Sequence, residues 1–520
     1  MKYFLTLIQL WVGFLSICAS YPKANIWIIP SVESPQVYRN YAQTSKVHLE
    51  MARGEVEHIQ LVFPSKVNEE YRFTFDRYLK GIQISARELK KMNGYYDALV
   101  PFKNQLKCTD TLTAVWITVQ CPSRVPVGKY HQTIKIEGSK HFTIQLDYNV
   151  HHTTIPLKSS IPITVGVENR CMTECLNDKE ADKERQRWVD FVLSYRMTPV
   201  FGTQITPERW QYEHSFSPWA WNDKRSIRLL NDRRYSCYML PFFTLSENEL
   251  ASLLCNIQKK GKLKESLFYI WDEPAYMEDY EQIKRKVNII RKYASDARIL
   301  TTFFCGPRNG PRKGDLYAVF DYLKHHIHVA TISLAPCKGN EEEVQHIRYK
   351  VPEGIDWWSY VCWQPGGNEP NFLLQMKGIQ QRAIMWRTWK NGSQGFLYWN
   401  CNIYHKRNPF TYITDMPHGD GILIYPGDIL GCKGPIASAR LERWRDGAEE
   451  MELLRLVEKN YSKEKADTLL NIVYSSPLSF IEKAHNIPFF RKELLDQLDK
   501  TIPIDYKLRI TDFILSLIHI

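Results

Sequence analysis

The sequence predicts a multidomain protein: an N-terminal antiparallel β-sandwich, a (β/α)8 TIM barrel and a C-terminal, mostly helical covering segment. Three observations carry this prediction. The 520 residues exceed what one ordinary core accommodates. Up to about Leu157 the chain shows short alternating runs separated by turn residues, with no long helical pattern. After Pro156, apolar strand-like runs alternate with amphipathic stretches, and eight such runs are the number that closes a parallel barrel.

The elements follow in chain order. Met1 and Lys2, the apolar run from Phe4 to Ile17 and the small residues Cys18, Ala19 and Ser20 read as a secretory signal peptide over 1–20. Cleavage after Ser20 is the first reading and a lipid anchor on Cys18 the second; both place the mature protein outside the cytoplasm, secreted or at the periplasm or cell surface. The sandwich is assigned to 21–158 on runs such as Val115–Val119, Thr133–Ile136 and Phe142–Leu146, with a turn at Pro126–Lys129. The barrel is assigned to 159–434. Its candidate strands are Ile161–Glu168, Thr198–Thr203, Tyr235–Phe242, Ser266–Glu273, Arg298–Phe304, His328–Leu334, Asp356–Trp363 and Gly395–Asn400. Lys179–Tyr195, Ser246–Lys260, Tyr276–Tyr293 and Asn371–Trp389 carry apolar residues at helical spacing. In the last segment, 435–520, a helix over Asp446–Asn460 leads into further helical sequence, read as packed on the barrel. No stretch after the leader reaches membrane-spanning length without charges, and the tail Phe513–Ile520 is too short to cross.

Composition excludes other classes. The net charge of +11 is spread along the chain, and runs such as Lys259–Lys264 are interrupted, which fits a solvated basic surface and not a nucleic-acid site. Without Cys18 eleven cysteines remain, an odd number that argues against a full disulfide framework. The pairs Cys171 and Cys175, His151 and His152, and His325 and His326 lack partners at zinc spacing, so neither a metal nor another cofactor is expected. Asn391 and Asn460 begin glycosylation-acceptor patterns.

In a parallel barrel the strand ends carry the chemistry. The buried run from Leu267 to Trp271 ends in Asp272, Glu273 and Pro274, and the proline stops the strand so that both carboxylates reach the rim. Neighbouring carboxylates disfavour each other's ionisation, so one proton is retained near neutral pH. A glycosidase needs that pairing: a proton for the glycosidic oxygen and a negative group beside the developing positive charge. Sequence neighbours are poorly placed to flank a sugar from opposite sides. They suffice when a 2-acetamido group of the substrate attacks the anomeric carbon, Asp272 orienting the amide and Glu273 moving the proton. The competing reading makes both residues caps of the helix that follows.

The sequence resembles glycoside hydrolase family 123, the β-N-acetylgalactosaminidase family and its uncharacterised relatives. The likeness rests on Ala52–Glu55 with Gln60; Pro126, Val127, Gly128 and Tyr130; Trp271–Pro274; Trp357, Trp358 and Tyr360; Arg382; Gly395–Trp399; Gly419–Gly421 with Tyr425, Pro426 and Gly427; and Ser438, Arg440, Arg445, Asp446 and Gly447. The resemblance implies a metal-free, exo-acting, retaining and substrate-assisted hydrolase of terminal β-linked N-acetylgalactosamine, with Asp272 as amide stabiliser and Glu273 as acid and base.

Aromatic residues at the last two strand ends are candidates for stacking on a pyranose: Trp358, Tyr360, Trp363, Tyr398 and Trp399. Alternation puts Trp358 and Tyr360 on one face and points Tyr398 and Trp399 oppositely. Trp271 and Asn169 complete the predicted sugar contacts, while Arg382 and Arg440 are assigned to ion pairs. The expected partner is a glycan or glycoconjugate. The alternatives are a glycosidase for another β-hexoside and a carbohydrate-binding protein without catalysis.

Overall fold

The computed structural model describes residues 26–76, 81–206, 211–410 and 419–501. The predicted leader 1–20, its Cys18 and the tail Phe513–Ile520 lie outside the described residues.

The N-terminal unit consists of ten strands: β1 (Trp27–Pro30), β2 (Lys46–Arg53), β3 (Glu55–Pro64), β4 (Glu70–Phe75), β5 (Gln83–Met92), β6 (Tyr95–Pro101), β7 (Gln105–Lys107), β8 (Leu112–Cys121), β9 (Gly128–Glu137) and β10 (His141–Thr154). They form two five-stranded sheets, β1-β3-β8-β5-β6 and β2-β10-β9-β4-β7, whose inner faces share one apolar core. Period-two burial sets the faces: Ile134, Ile136, Phe142, Ile144 and Leu146 are buried, while Lys135, Thr143 and Gln145 between them are exposed. Every pairing is antiparallel except β2 with β10, which run parallel.

The second unit is a nine-stranded, nearly closed barrel. Its strands are β11 (Ile163–Glu168), β12 (Thr198–Thr206), β13 (Gln211–Ser215), β14 (Tyr238–Met239), β15 (Ser266–Trp271), β16 (Arg298–Phe303), β17 (Val329–Ser333), β18 (Asp356–Val361) and β19 (Phe396–Tyr398), in the order β13-β12-β11-β19-β18-β17-β16-β15-β14. Eight of them are parallel, and they fall on the eight predicted runs. The ninth, β13, is antiparallel to β12 and departs from regular alternation. Among the described residues no ladder joins β12 to β14. A side-chain bond between Thr198 Oγ1 and Ser236 Oγ (2.7 Å) and a bond from Phe216 N to Met239 O (2.6 Å) bridge that gap.

The helices are α1 (Asn169–Thr173), α2 (Asp178–Ser194), α3 (Lys224–Leu229), α4 (Glu247–Lys259), α5 (Met277–Arg291), α6 (Ala318–Leu323), α7 (Glu341–Lys350), α8 (Gly378–Lys390), α9 (Ala439–Asn460), α10 (Lys463–Leu470) and α11 (Ile487–Asp499). Between β19 and α9 lies a short hairpin, β20 (Ile424–Pro426) with β21 (Pro435–Ala437). Two helices differ from expectation. The eighth begins at Gly378, because the side chain of Asn371 is spent on the Cys362 and Pro365 carbonyls in an irregular loop. The ninth begins at Ala439, where Ser438 caps the Leu441 N–H.

The segment after 435 does not simply cover the barrel. Helix α9 is wedged between α8 and the outer face of the β3 sheet, and α11 lies on β2 and β10. Buried ion pairs fix the wedge: Arg382 of α8 bonds Asp446 (3.0 Å) and Glu450 (2.5 Å) of α9, and Arg440 bonds Asp97 of β6 (2.9 Å). His58 of β3 reaches Glu442 (3.2 Å) and Asp446 (3.3 Å). Gly447 permits the close approach, since a β-carbon there would sit 2.3 Å from the Arg382 carbonyl oxygen. Most of the residues that looked like a family signature in Ala52–Gln60 and Ser438–Gly447 thus hold the two units together.

Asn391 is fully buried, so a glycan cannot be attached there. The eleven described cysteines are all free thiols. No helix among the described residues is long and apolar enough to cross a membrane.

Candidate active site

The carboxylates sit where the fourth parallel strand leaves the barrel. Inside β15, Leu267 and Tyr269 point into the barrel, while Phe268 and Ile270 point out to the helices. Asp272 and Glu273 follow the strand, and Glu273 takes a left-handed backbone (φ 45°) that breaks the extended path. Capping does not explain them. Helix α5 starts at Met277, and Asp279 accepts the Ala275 and Tyr276 N–H groups (2.8 Å each), so the cap is made by a different acid.

The two carboxylate groups have separate partners. Asp272 Oδ1 accepts hydrogen bonds from the Tyr269 hydroxyl and from Thr302 Oγ1 of β16, both at 2.7 Å. Thr302 in turn accepts the Glu273 N–H at 3.0 Å. Glu273 Oε1 accepts a short hydrogen bond from the Tyr360 hydroxyl, which reaches across the barrel from β18. Both acids touch solvent in the open mouth, yet protein crowds Glu273. Its lost hydration, and then the charge of Asp272, raise its pKa to about 7 against the opposing Tyr360 bond and Arg308 guanidinium. At neutral pH this carboxyl is divided between acid and base.

Beside Asp272 a cavity of about 70 Å³ opens into the barrel mouth, lined by Gly166, Gly202, Tyr212, His214, Tyr269 and Trp399 among others. It has room for a few waters or one small substituent. Two wall residues come from β13: the His214 ring stacks on Tyr269 with centroids 4.3 Å apart and planes 7° from parallel, and Tyr212 follows at 6.2 Å. At the rim, Glu168 is buried with Oε1 on the Arg170 N–H and Oε2 without a partner among the described residues. Burial raises its pKa to about 7.

The predicted sugar contacts divide. Tyr360 holds Glu273, and Tyr398 and Trp399 line the cavity. Trp358 shares the inward face with Tyr360, as alternation requires, but is sealed inside the barrel at 1% exposure. Tyr398 is fully buried, its ring 4.9 Å from Phe372 and its hydroxyl on Asp420 (3.0 Å). Trp271 is turned outward over Lys286 of α5, because β15 and β16 slip register between Tyr269 and Trp271 and the side-chain alternation is lost. Asn169 donates to Thr203 Oγ1 at 3.0 Å. Sequence reasoning missed Tyr269, Thr302, Tyr212 and His214. The first two read as ordinary buried strand residues, and the last two lie on a short polar strand with no apolar run to signal it. Among the described residues no group of three or more His, Cys, Asp or Glu is arranged to hold a metal ion.

The model of the glycoside hydrolase 123 catalytic domain matches residues 183–457, more than half of the chain and inclusive of both carboxylates. No curated protein matches the sequence. Among solved structures, a family 123 glycoside hydrolase from Clostridium perfringens, described in terms of glycolipid glycan hydrolysis, aligns with a TM-score of 0.62 over 95% of this chain and 99% of that one, at 14% identity. That likeness concerns the fold. An FMN-binding β-glucuronidase from Facaelibacterium prausnitzii L2-6 aligns at a TM-score of 0.31 and 10% identity, over 78% of this chain and 59% of that one, too distant to carry an argument.

Proposed function

Since the chain belongs to glycoside hydrolase family 123, we propose that it is an exo-acting, retaining β-N-acetylhexosaminidase that removes terminal β-linked N-acetylgalactosamine by substrate-assisted catalysis. The observation that carries this reading is the split environment of the adjacent acids. Asp272 is fixed by Tyr269 and Thr302 beside a cavity the size of a small substituent, and Glu273 is held apart with a pKa raised to about 7. In the first step the Glu273 proton passes to the glycosidic oxygen. The C1–O bond breaks with its electron pair on that oxygen, and the amide carbonyl oxygen of the substrate bonds to C1. Asp272 supports the positive charge that develops on the amide. In the second step water attacks C1, Glu273 takes its proton, and the C1–O bond to the amide oxygen breaks. Two displacements at C1 retain the configuration.

The barrel is assigned to 159–434 as a (β/α)8 catalytic unit, braced by the sandwich over 21–158 and by the helical segment over 435–520. Residues 1–20 are read as an export signal and the site of action as extracytoplasmic. The description of the Clostridium perfringens enzyme supports a glycolipid-borne glycan as substrate.

The test is release of nitrophenol from β-linked N-acetylgalactosaminide, N-acetylglucosaminide and unsubstituted galactoside by wild type, Asp272→Asn and Glu273→Gln. Cleavage confined to acetamido sugars and lost in both variants supports the mechanism. Cleavage of the unsubstituted galactoside alone removes the amide role of Asp272.

A further inference from the structure

Strand β13 adds a residue to the site that neither carboxylate contacts. The ring of His214 lies flat on Tyr269 at 4.3 Å and 7°, the spacing and angle of a stacked pair. Tyr269 hands its hydroxyl hydrogen to Asp272 Oδ1, and Thr302 makes the second bond to the same oxygen. The stack extends through Tyr212, and the strand carrying both rings is held by its hairpin pairing with β12 and by buried Glu213, which accepts the Phe242 and Thr244 N–H groups. We infer that His214 is a positioning residue: its ring fixes the plane of Tyr269 and thereby the orientation in which Asp272 meets the substrate amide.

Chemistry separates this role from acid–base work. Burial alone lowers the imidazole pKa to about 3, with no hydrogen-bonding or charged group contributing. A proton donor or acceptor in catalysis would need a polar partner and a pKa near the working pH. A flat, neutral ring over a tyrosine needs neither. The role rests on the proposed function only where it names the amide; the link from His214 through Tyr269 to Asp272 is geometric.

The experiment compares His214→Ala, His214→Phe and wild type by crystal structure and by kcat and KM against pH on β-linked nitrophenyl N-acetylgalactosaminide. In His214→Ala, Tyr269 leaves Asp272 and kcat falls at least about 10-fold while KM holds. His214→Phe keeps the stack and recovers most of that loss. Two outcomes overturn the inference: Tyr269 still bonded to Asp272 in His214→Ala, or no recovery with phenylalanine, which would assign the ring nitrogens a direct role. A rise in KM alone with Tyr269 in place would make His214 a substrate contact and also overturn it. If Tyr269 moves as described but wild type cleaves no acetamido sugar, the positioning role stands and the proposed function fails.

Discussion

Removing the Tyr360 hydroxyl tests the electrostatics of the site. The pKa of Glu273, about 7, is a balance in which lost hydration and the Asp272 charge raise it while the Tyr360 hydrogen bond and Arg308 lower it. In Tyr360→Phe the carboxylate loses a donor that favours its charged form. A hydrogen bond to a charged group contributes about 1.5–3 kcal/mol, equivalent to roughly 1–2 pH units at 1.36 kcal/mol per unit. Solvent in the open mouth reduces this to about one unit. The sign is upward: the proton is held to higher pH, so the alkaline limb of kcat/KM, which reports the free enzyme, moves from about 7 towards roughly 8. The complementary change is Asp272→Asn, where removal of the neighbouring charge brings the Glu273 pKa down. That shift is read by carbon-13 titration of the carboxyl, which requires no turnover. A limb that stays or falls in Tyr360→Phe, or a Glu273 pKa that rises in Asp272→Asn, would refute the reasoning.

Three further changes probe the frame. Arg382→Met removes the guanidinium shared by Asp446 and Glu450, leaving Asp446 with His58 and Glu450 with the Trp386 N–H and the more distant Arg491; a loss of about 3 kcal/mol is expected, measured by denaturant unfolding against wild type. His151 is bonded to Glu50 and Asp499, and these bonds outweigh burial to raise its pKa to about 9. Its stabilising contribution is complete below the unfolded value near 6.5 and is lost as pH rises through about 9. Unfolding free energies between pH 7 and 10 should therefore decline in wild type, and His151→Gln should lack that part of the slope. In Gly166→Ala the new methyl would lie 1.9 Å from the Trp399 carbonyl oxygen. Both strand ends must then shift, and kcat/KM should fall with a lowered melting temperature.

The eight parallel strands were legible because each is buried on both faces and reads as an apolar run that a turn terminates. Even β14, two residues long, lies inside the run that marked it. Strand β13 was illegible for the opposite reason: Gln211–Ser215 is polar, and its place is explained by the cavity it walls and by the Phe242 and Thr244 N–H groups that Glu213 accepts. Helix α9 was read seven residues short because periodicity presumes a wet face. Here Arg440, Glu442, Arg443, Arg445, Asp446 and Glu449 are all buried in ion pairs and hydrogen bonds between the two units, so the polar residues mark a seam and not a surface. Within the site, Asp272 and Glu273 were found because Pro274 ends their strand. The outward turn of Trp271 was not legible because a register slip is invisible in sequence, and neither was the buried carboxylate that holds the Tyr398 hydroxyl beside the cavity.

The same slip explains how adjacent acids acquire different work. On a regular strand Asp272 and Glu273 would point to opposite faces, one into the barrel and one towards the helices. The irregularity after Tyr269 and the left-handed backbone at Glu273 let both side chains stay at the mouth. A non-glycine residue in that region carries strain of order 1–3 kcal/mol, and here it is offset locally: the Glu273 N–H is bonded to Thr302, its carboxylate to Tyr360, and the helix cap is left to Asp279. Because Thr302 bonds both the Asp272 carboxylate and the Glu273 amide, one hydroxyl fixes the relative orientation of the two acids. The division of labour proposed for them therefore depends on the backbone as much as on the side chains, and glycine at 273 would relieve the strain while removing the carboxyl that the proposal requires.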